Sequence, residues 1–202
     1  MKRFRVAPGS AQGVAPAIVS GFVLFAVVTG GERLFGVTGA AASLFEEAMK
    51  TALLASGMLI LSGTAGWTRF EALGCGLQAV ALFAAAESAA YALAFPDAET
   101  VLRLAWSLPL HLGCAMLEAL GLAGLAGRRG RAKLPSCMMI ASAWAIHIIL
   151  NAIASSSSRA VMLAAMIPLD TAFIALSALW LRSAARNALS DGRKVHGGST
   201  DD

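Results

Sequence analysis

The sequence predicts an all-α integral membrane protein, a bundle of about six transmembrane helices with both termini on the cytoplasmic side. Three observations carry that expectation. Hydrophobic residues make up 57% of the 202-residue chain and charged residues 14%, against about 45–50% and 25% in soluble domains. The apolar segments run almost end to end, which excludes a soluble enzyme carrying a single anchor. Their lengths match the roughly 20 helical residues needed to cross the hydrocarbon layer, where every backbone polar group must be bonded within the protein.

The expected spans are 13–31, 39–64, 72–95, 101–126, 135–154 and 160–182, punctuated by GGERLFGVTG, GWTRFE, FPDAET, GRRGRAKLP and SSSSR. Connections this short leave no room for a second domain. Residues 1–182 therefore read as one transmembrane unit. Residues 183–202 read as a polar cytoplasmic tail, too hydrophilic to fold alone and expected to be disordered. The first span follows MKRFR, as the core of a signal peptide would. Its apolar run is long, however, and no A-x-A site follows promptly, so a retained helix is expected.

Basic residues set the orientation. With Lys50 inside a span, the other Lys and Arg residues divide twelve to three between the two sides, and only Arg33, Arg103 and Arg159 fall opposite the N-terminus. The positive-inside rule then places the N-terminus in the cytoplasm. The formal net charge of +4 is accounted for in the same way and calls for no nucleic acid. Cys75, Cys114 and Cys137 are odd in number and form no CxxC, so neither a disulfide framework nor a zinc knuckle is expected. They read as small apolar side chains packed between helices.

Apart from Arg103 and Arg182 at span ends, eight ionisable residues lie inside the spans: Glu46, Glu47, Lys50, Glu87, His111, Glu118, His147 and Asp170. A charge at the centre of a helix costs about 2.5–3.5 kcal/mol on insertion scales, and such groups usually face a protein-lined cavity. On the second span Lys50 follows Glu46 by four residues and Glu47 by three, within reach of either carboxylate. Gly57 shares that face and leaves room for another helix. On the third span Phe83, Glu87 and Tyr91 share a face. On the fourth, His111 and Glu118 do so, with Pro109 nearby, and on the fifth His147 and Asn151 form an i, i+4 pair.

Each pattern has a purely structural reading as well. Glu46, Glu47 and Lys50 could be an ion pair that lets a polar helix insert. Tyr91 could hydrogen-bond a lone Glu87, and each histidine could be a packed polar residue. Depth favours a common site. Counted from the outer end, Glu46, Glu47, Glu87 and His147 lie about two turns down and His111 nearly three, at ~5.4 Å per turn. Four helices thus bring acids and imidazoles to one layer in the outer half of the bilayer. Glu118, about 10 Å from His111 along the axis, and Asp170, after Pro168, take no role from these patterns.

In order, the motifs are EEAMK (46–50), FAAAE (83–87), PLH ending at His111, and HIILN (147–151). Together they resemble the PrsW-type intramembrane proteases, within the larger superfamily that includes the CAAX prenyl proteases. That family shows EExxK, FxxxE, a His on the next helix and a final HxxxN-like motif. The resemblance covers about residues 40 to 155. Ser88 stands where members often carry Asn, and the chain is compact. CAAX proteases have Arg after the glutamate pair and FxxxH, so Lys50 and Glu87 point to the PrsW branch.

The resemblance implies an intramembrane protease. Its catalytic residues would be Glu46, Glu47, Glu87, His111 and His147, supported by Lys50, Asn151 and Tyr91. Two routes stay open. Either a glutamate activates water directly, or a divalent metal such as Zn²⁺ is held by Glu47, His111 and His147. The implied substrate is a membrane protein, such as a single-pass anti-sigma factor, and the implied location is a bacterial inner membrane. A proton- or ion-coupled transporter and a non-catalytic scaffold are the alternatives. The first also uses intramembrane Glu and His, although no inverted repeat is evident.

Overall fold

The computed structural model describes residues 11–36, 38–64, 67–94, 98–127 and 133–156, together with isolated helical positions between 164 and 182. Five helices account for nearly all of it: α1 (Ala11–Phe35), α2 (Ala40–Thr64), α3 (Arg69–Ala94), α4 (Ala98–Gly127) and α5 (Lys133–Ser156). No strand occurs among the described residues. These helices coincide with the first five expected spans to within a few residues. The sixth expected span, Asp170 and the tail from 183 lie largely or wholly outside the described residues.

Four of the helices are long and apolar enough to cross a membrane, so the chain is a membrane protein by composition. The exception is α2, whose first half carries Glu46, Glu47 and Lys50. That helix packs against all four others, while α1 lies on α3, α3 on α4, and α4 on α5. The most polar helix therefore stands in the middle and the apolar helices screen it. Outward faces carry exposed apolar side chains such as Phe22, Leu59, Leu93 and Ile149, the surface a hydrocarbon solvent accepts.

Local chemistry fixes the helix ends that position α2 and α3. Gly36 and Gly39 adopt φ of 62° and 60°, a left-handed backbone that glycine enters without steric cost, and the first of them stops α1 at Phe35. At the start of α3, the Thr68 hydroxyl accepts the Glu71 amide at 3.2 Å. The Glu71 carboxylate accepts the Thr68 amide at 2.6 Å in return. This reciprocal capping box satisfies two amides that a helix start leaves without partners.

The core runs between α1, α2, α3 and α4 around Leu24, Leu54, Leu73, Val80 and Phe83, all at most 3% exposed. A smaller cluster of Leu110, Cys114 and Ala143 joins α4 to α5. Cys75 and Cys114 are buried as expected, whereas Cys137 is exposed, and none of the three is in a disulfide. In lipid there is no aqueous driving force between helices, so close backbone packing at small residues matters most. A Cβ on Gly121 would lie 2.7 Å from the Ser136 carbonyl oxygen of α5. Gly57, expected to admit a neighbouring helix, faces open space instead, with nothing within 4 Å of such a Cβ. The partners of α2 pack on its other residues.

Candidate functional site

Inside the bundle, α2 presents Glu46, Glu47 and Lys50 on consecutive turns. Their exposures of 4%, 0% and 0% leave them almost no contact with solvent. Desolvating three ionisable groups is costly unless each is paired and hydrogen-bonded, and the partners come from three other helices. His111 of α4 and His147 of α5 are 3% and 0% exposed. Glu87 of α3 stands at the edge of the cluster, its side chain 25% exposed. The five residues named from the sequence as catalytic are thus brought together.

Lys50 is the hub. Its ammonium lies 3.0 Å from Glu46 Oε1, pairs with Glu47 Oε1 and is 3.2 Å from His111 Nδ1. The contact with His111 is a hydrogen bond, whereas Glu46 Oε1 faces the ammonium as an ion-pair contact and has no hydrogen-bond partner among the described residues. His111 Nδ1 is also 2.9 Å from Glu46 Oε1, while Nε2 is 2.8 Å from Glu87 Oε2. A neutral ring with its proton on Nε2 donates to Glu87 and accepts from Lys50. In that tautomer Glu46 Oε1 receives no hydrogen bond from the ring, and the lysine's charge alone stands against it.

His147 is arranged the opposite way. Its Nδ1 bonds Glu47 Oε1, and its Nε2 is 2.9 Å from the Asn151 amide nitrogen and 3.8 Å from Glu46 Oε2. Donation from Nδ1 to Glu47 leaves Nε2 to accept from Asn151. The amide of Asn151 also donates to Ser43 Oγ at 3.0 Å, which ties the end of α5 to the first turn of α2. The two imidazole rings meet edge to face, with centroids 5.0 Å apart, and Phe83 packs edge-on to His111 at 5.6 Å.

Three participants went unrecognised in the sequence: Thr51, Trp144 and Ser43. Thr51 Oγ1 donates to Glu118 Oε1 at 2.6 Å, and Trp144 Nε1 lies 2.8 Å from the same oxygen and 3.0 Å from Thr51 Oγ1. Glu118, to which the sequence assigned no role, is therefore a fully buried carboxyl held between α2 and α5. The available signal was periodic: Trp144 precedes His147 by three residues and Ser43 precedes Glu47 by four. Tyr91, expected as a supporting group, is 42% exposed at the surface.

Glu46, Glu47, His111 and His147 each offer one ligand atom, and these atoms all lie within 4.8 Å of one another, so the group could hold a metal ion. Two imidazoles and two carboxylates suit zinc. Glu47 Oε2 also lacks a hydrogen-bond donor among the described residues, as an oxygen reserved for a cation or a water would. The donor set fits a divalent ion, with Lys50 standing among the same atoms. No family model matches the chain, and neither does a curated protein or a solved structure.

Proposed function

We propose that the chain is an intramembrane endopeptidase of the PrsW type, hydrolysing a peptide bond in a membrane or juxtamembrane protein. The observation that carries this reading is the buried set of Glu46, Glu47, His111 and His147, reached by Glu87 from the edge. Hydrolysis needs a base for water, a donor to the oxyanion and a proton for the leaving amine. A buried carboxylate pair supplies the base. In the direct route, Glu46 or Glu47 removes a proton from water as its oxygen adds to the carbonyl carbon. With substrate in place, the N–H groups of His111, His147 and Asn151 turn from Glu87, Glu47 and Ser43 to supply hydrogen bonds to the oxyanion. The C–N bond then breaks and the protonated glutamate returns the proton to the amine.

In the second route, Glu47, His111 and His147 would hold a divalent ion such as Zn²⁺, which would act as a Lewis acid toward water. By the motif resemblance, the substrate is a single-pass regulatory protein such as an anti-sigma factor, the membrane is a bacterial inner membrane, and six spans place both termini in the cytoplasm.

Purified protein in liposomes with a single-pass candidate substrate tests the reading. Defined cleavage products are expected, reduced by about 100-fold or more in Glu46→Gln or Glu47→Gln. Undiminished cleavage by the Glu46→Ala, Glu47→Ala double variant would sink the proposal.

One feature favours a second reading, a proton-coupled transporter. Hydrogen-bonding groups run without a break from Glu87 through His111, Lys50 and Glu47 to His147 and Asn151, as in a relay. Solute flux into liposomes without any peptide product would select it.

A further inference from the structure

The ammonium of Lys50 and a divalent cation would compete for the same atoms. The nitrogen touches Glu46 Oε1, Glu47 Oε1 and His111 Nδ1, and those three residues belong to the group whose ligand atoms gather within 4.8 Å. Two carboxylates and an imidazole around one point are a three-ligand zinc set. Here they surround the positively charged nitrogen of a lysine instead. The lysine is also 0% exposed, so its charge has no solvent to turn to and cannot leave the cluster cheaply.

We infer that Lys50 is a built-in cation that occupies the metal position of this cluster and keeps divalent ions out of it. Its removal leaves Glu46 and Glu47 as adjacent buried acids with no cation between them, and this excess negative charge draws in a divalent ion. The cluster then becomes a metal site without any change of ligand. The inference bears on the choice between the two routes of hydrolysis, but its test reads metal binding. Its failure leaves the hydrolysis reading standing.

The experiment is equilibrium dialysis of Zn²⁺ against the purified full chain in detergent, wild type beside Lys50→Met and Lys50→Arg. Lys50→Met should bind one ion per chain at least about 100-fold more tightly than wild type, the scale expected for removing one opposing charge a few ångströms away. Lys50→Arg, which keeps the charge, should bind as weakly as wild type. Adding His111→Ala to Lys50→Met should abolish binding, which assigns the ion to this cluster. Should Lys50→Met fail to fold, Lys50→Gln keeps polar donors at the position and serves the same purpose. Tight stoichiometric binding by wild type that His111→Ala removes would overturn the inference. Equal absence of binding from all the chains would overturn it too, because the ammonium would then not be what excludes the metal.

Discussion

Lys50 and Glu47 each compensate a charge that the other would strand. Truncating one member of a buried pair leaves an unpaired ion and typically costs about 3–5 kcal/mol. Lys50→Ala in metal-free buffer should therefore lower stability by about that amount, measured by denaturant unfolding in micelles. The Lys50→Ala, Glu47→Gln double variant should be more stable than the sum of the single effects allows, a coupling of about 0.5–3 kcal/mol. Strict additivity would mean that the pair seen here contributes nothing. The ionisable residues were legible in the sequence because a charge in an apolar helix is conspicuous. Thr51, Trp144 and Ser43 were not, since they are uncharged residues common in any span and only their partners reveal them. Gly57 misled for the opposite reason: a glycine on the right face permits a close approach but does not require one.

At the scale of the element, the helices were readable because apolar runs of the right length have few other solutions in a bilayer. What hydropathy could not supply is which faces meet. The contact of α4 with α5 runs past Gly121, where a side chain would strike the Ser136 carbonyl and Ile140. These are the helices that carry His111 and His147. Gly121→Val should force them apart, lowering stability by about 1–3 kcal/mol and reducing cleavage of the candidate substrate more than stability alone explains. Thr68→Ala is the control. Losing that cap should cost about 1 kcal/mol at the end of α3 remote from the cluster, with cleavage retained. Equal losses of cleavage in the two variants would separate the α4–α5 spacing from the chemistry.

For the whole molecule, the charge asymmetry of the connections predicts a definite topology. A cysteine introduced at Thr38, between α1 and α2, should react with a membrane-impermeant maleimide on intact cells. One placed at Arg129, between α4 and α5, should react only after lysis. The reverse pattern would invert the orientation and move the acid and imidazole layer to the cytoplasmic half of the bilayer. The arrangement of helices was only partly visible in the sequence. Matching depth identified the layer, but depth does not order helices around an axis. That α2 is the one surrounded by the others follows from its polarity only once its partners are known to satisfy it.

The central place of α2 also constrains how the chain is made. As it leaves the ribosome, α2 meets the membrane before any residue of α3, α4 or α5 exists to receive its charges. Glu46, Glu47 and Lys50 would each be disfavoured there by about 2.5–3.5 kcal/mol, partly relieved by pairing within the helix. Stable integration must then wait for His111 and His147, and the insertion machinery must hold α2 until α5 emerges. Nascent chains stopped near residue 66 should release α2 from the membrane on carbonate extraction, while chains extended past residue 156 should retain it.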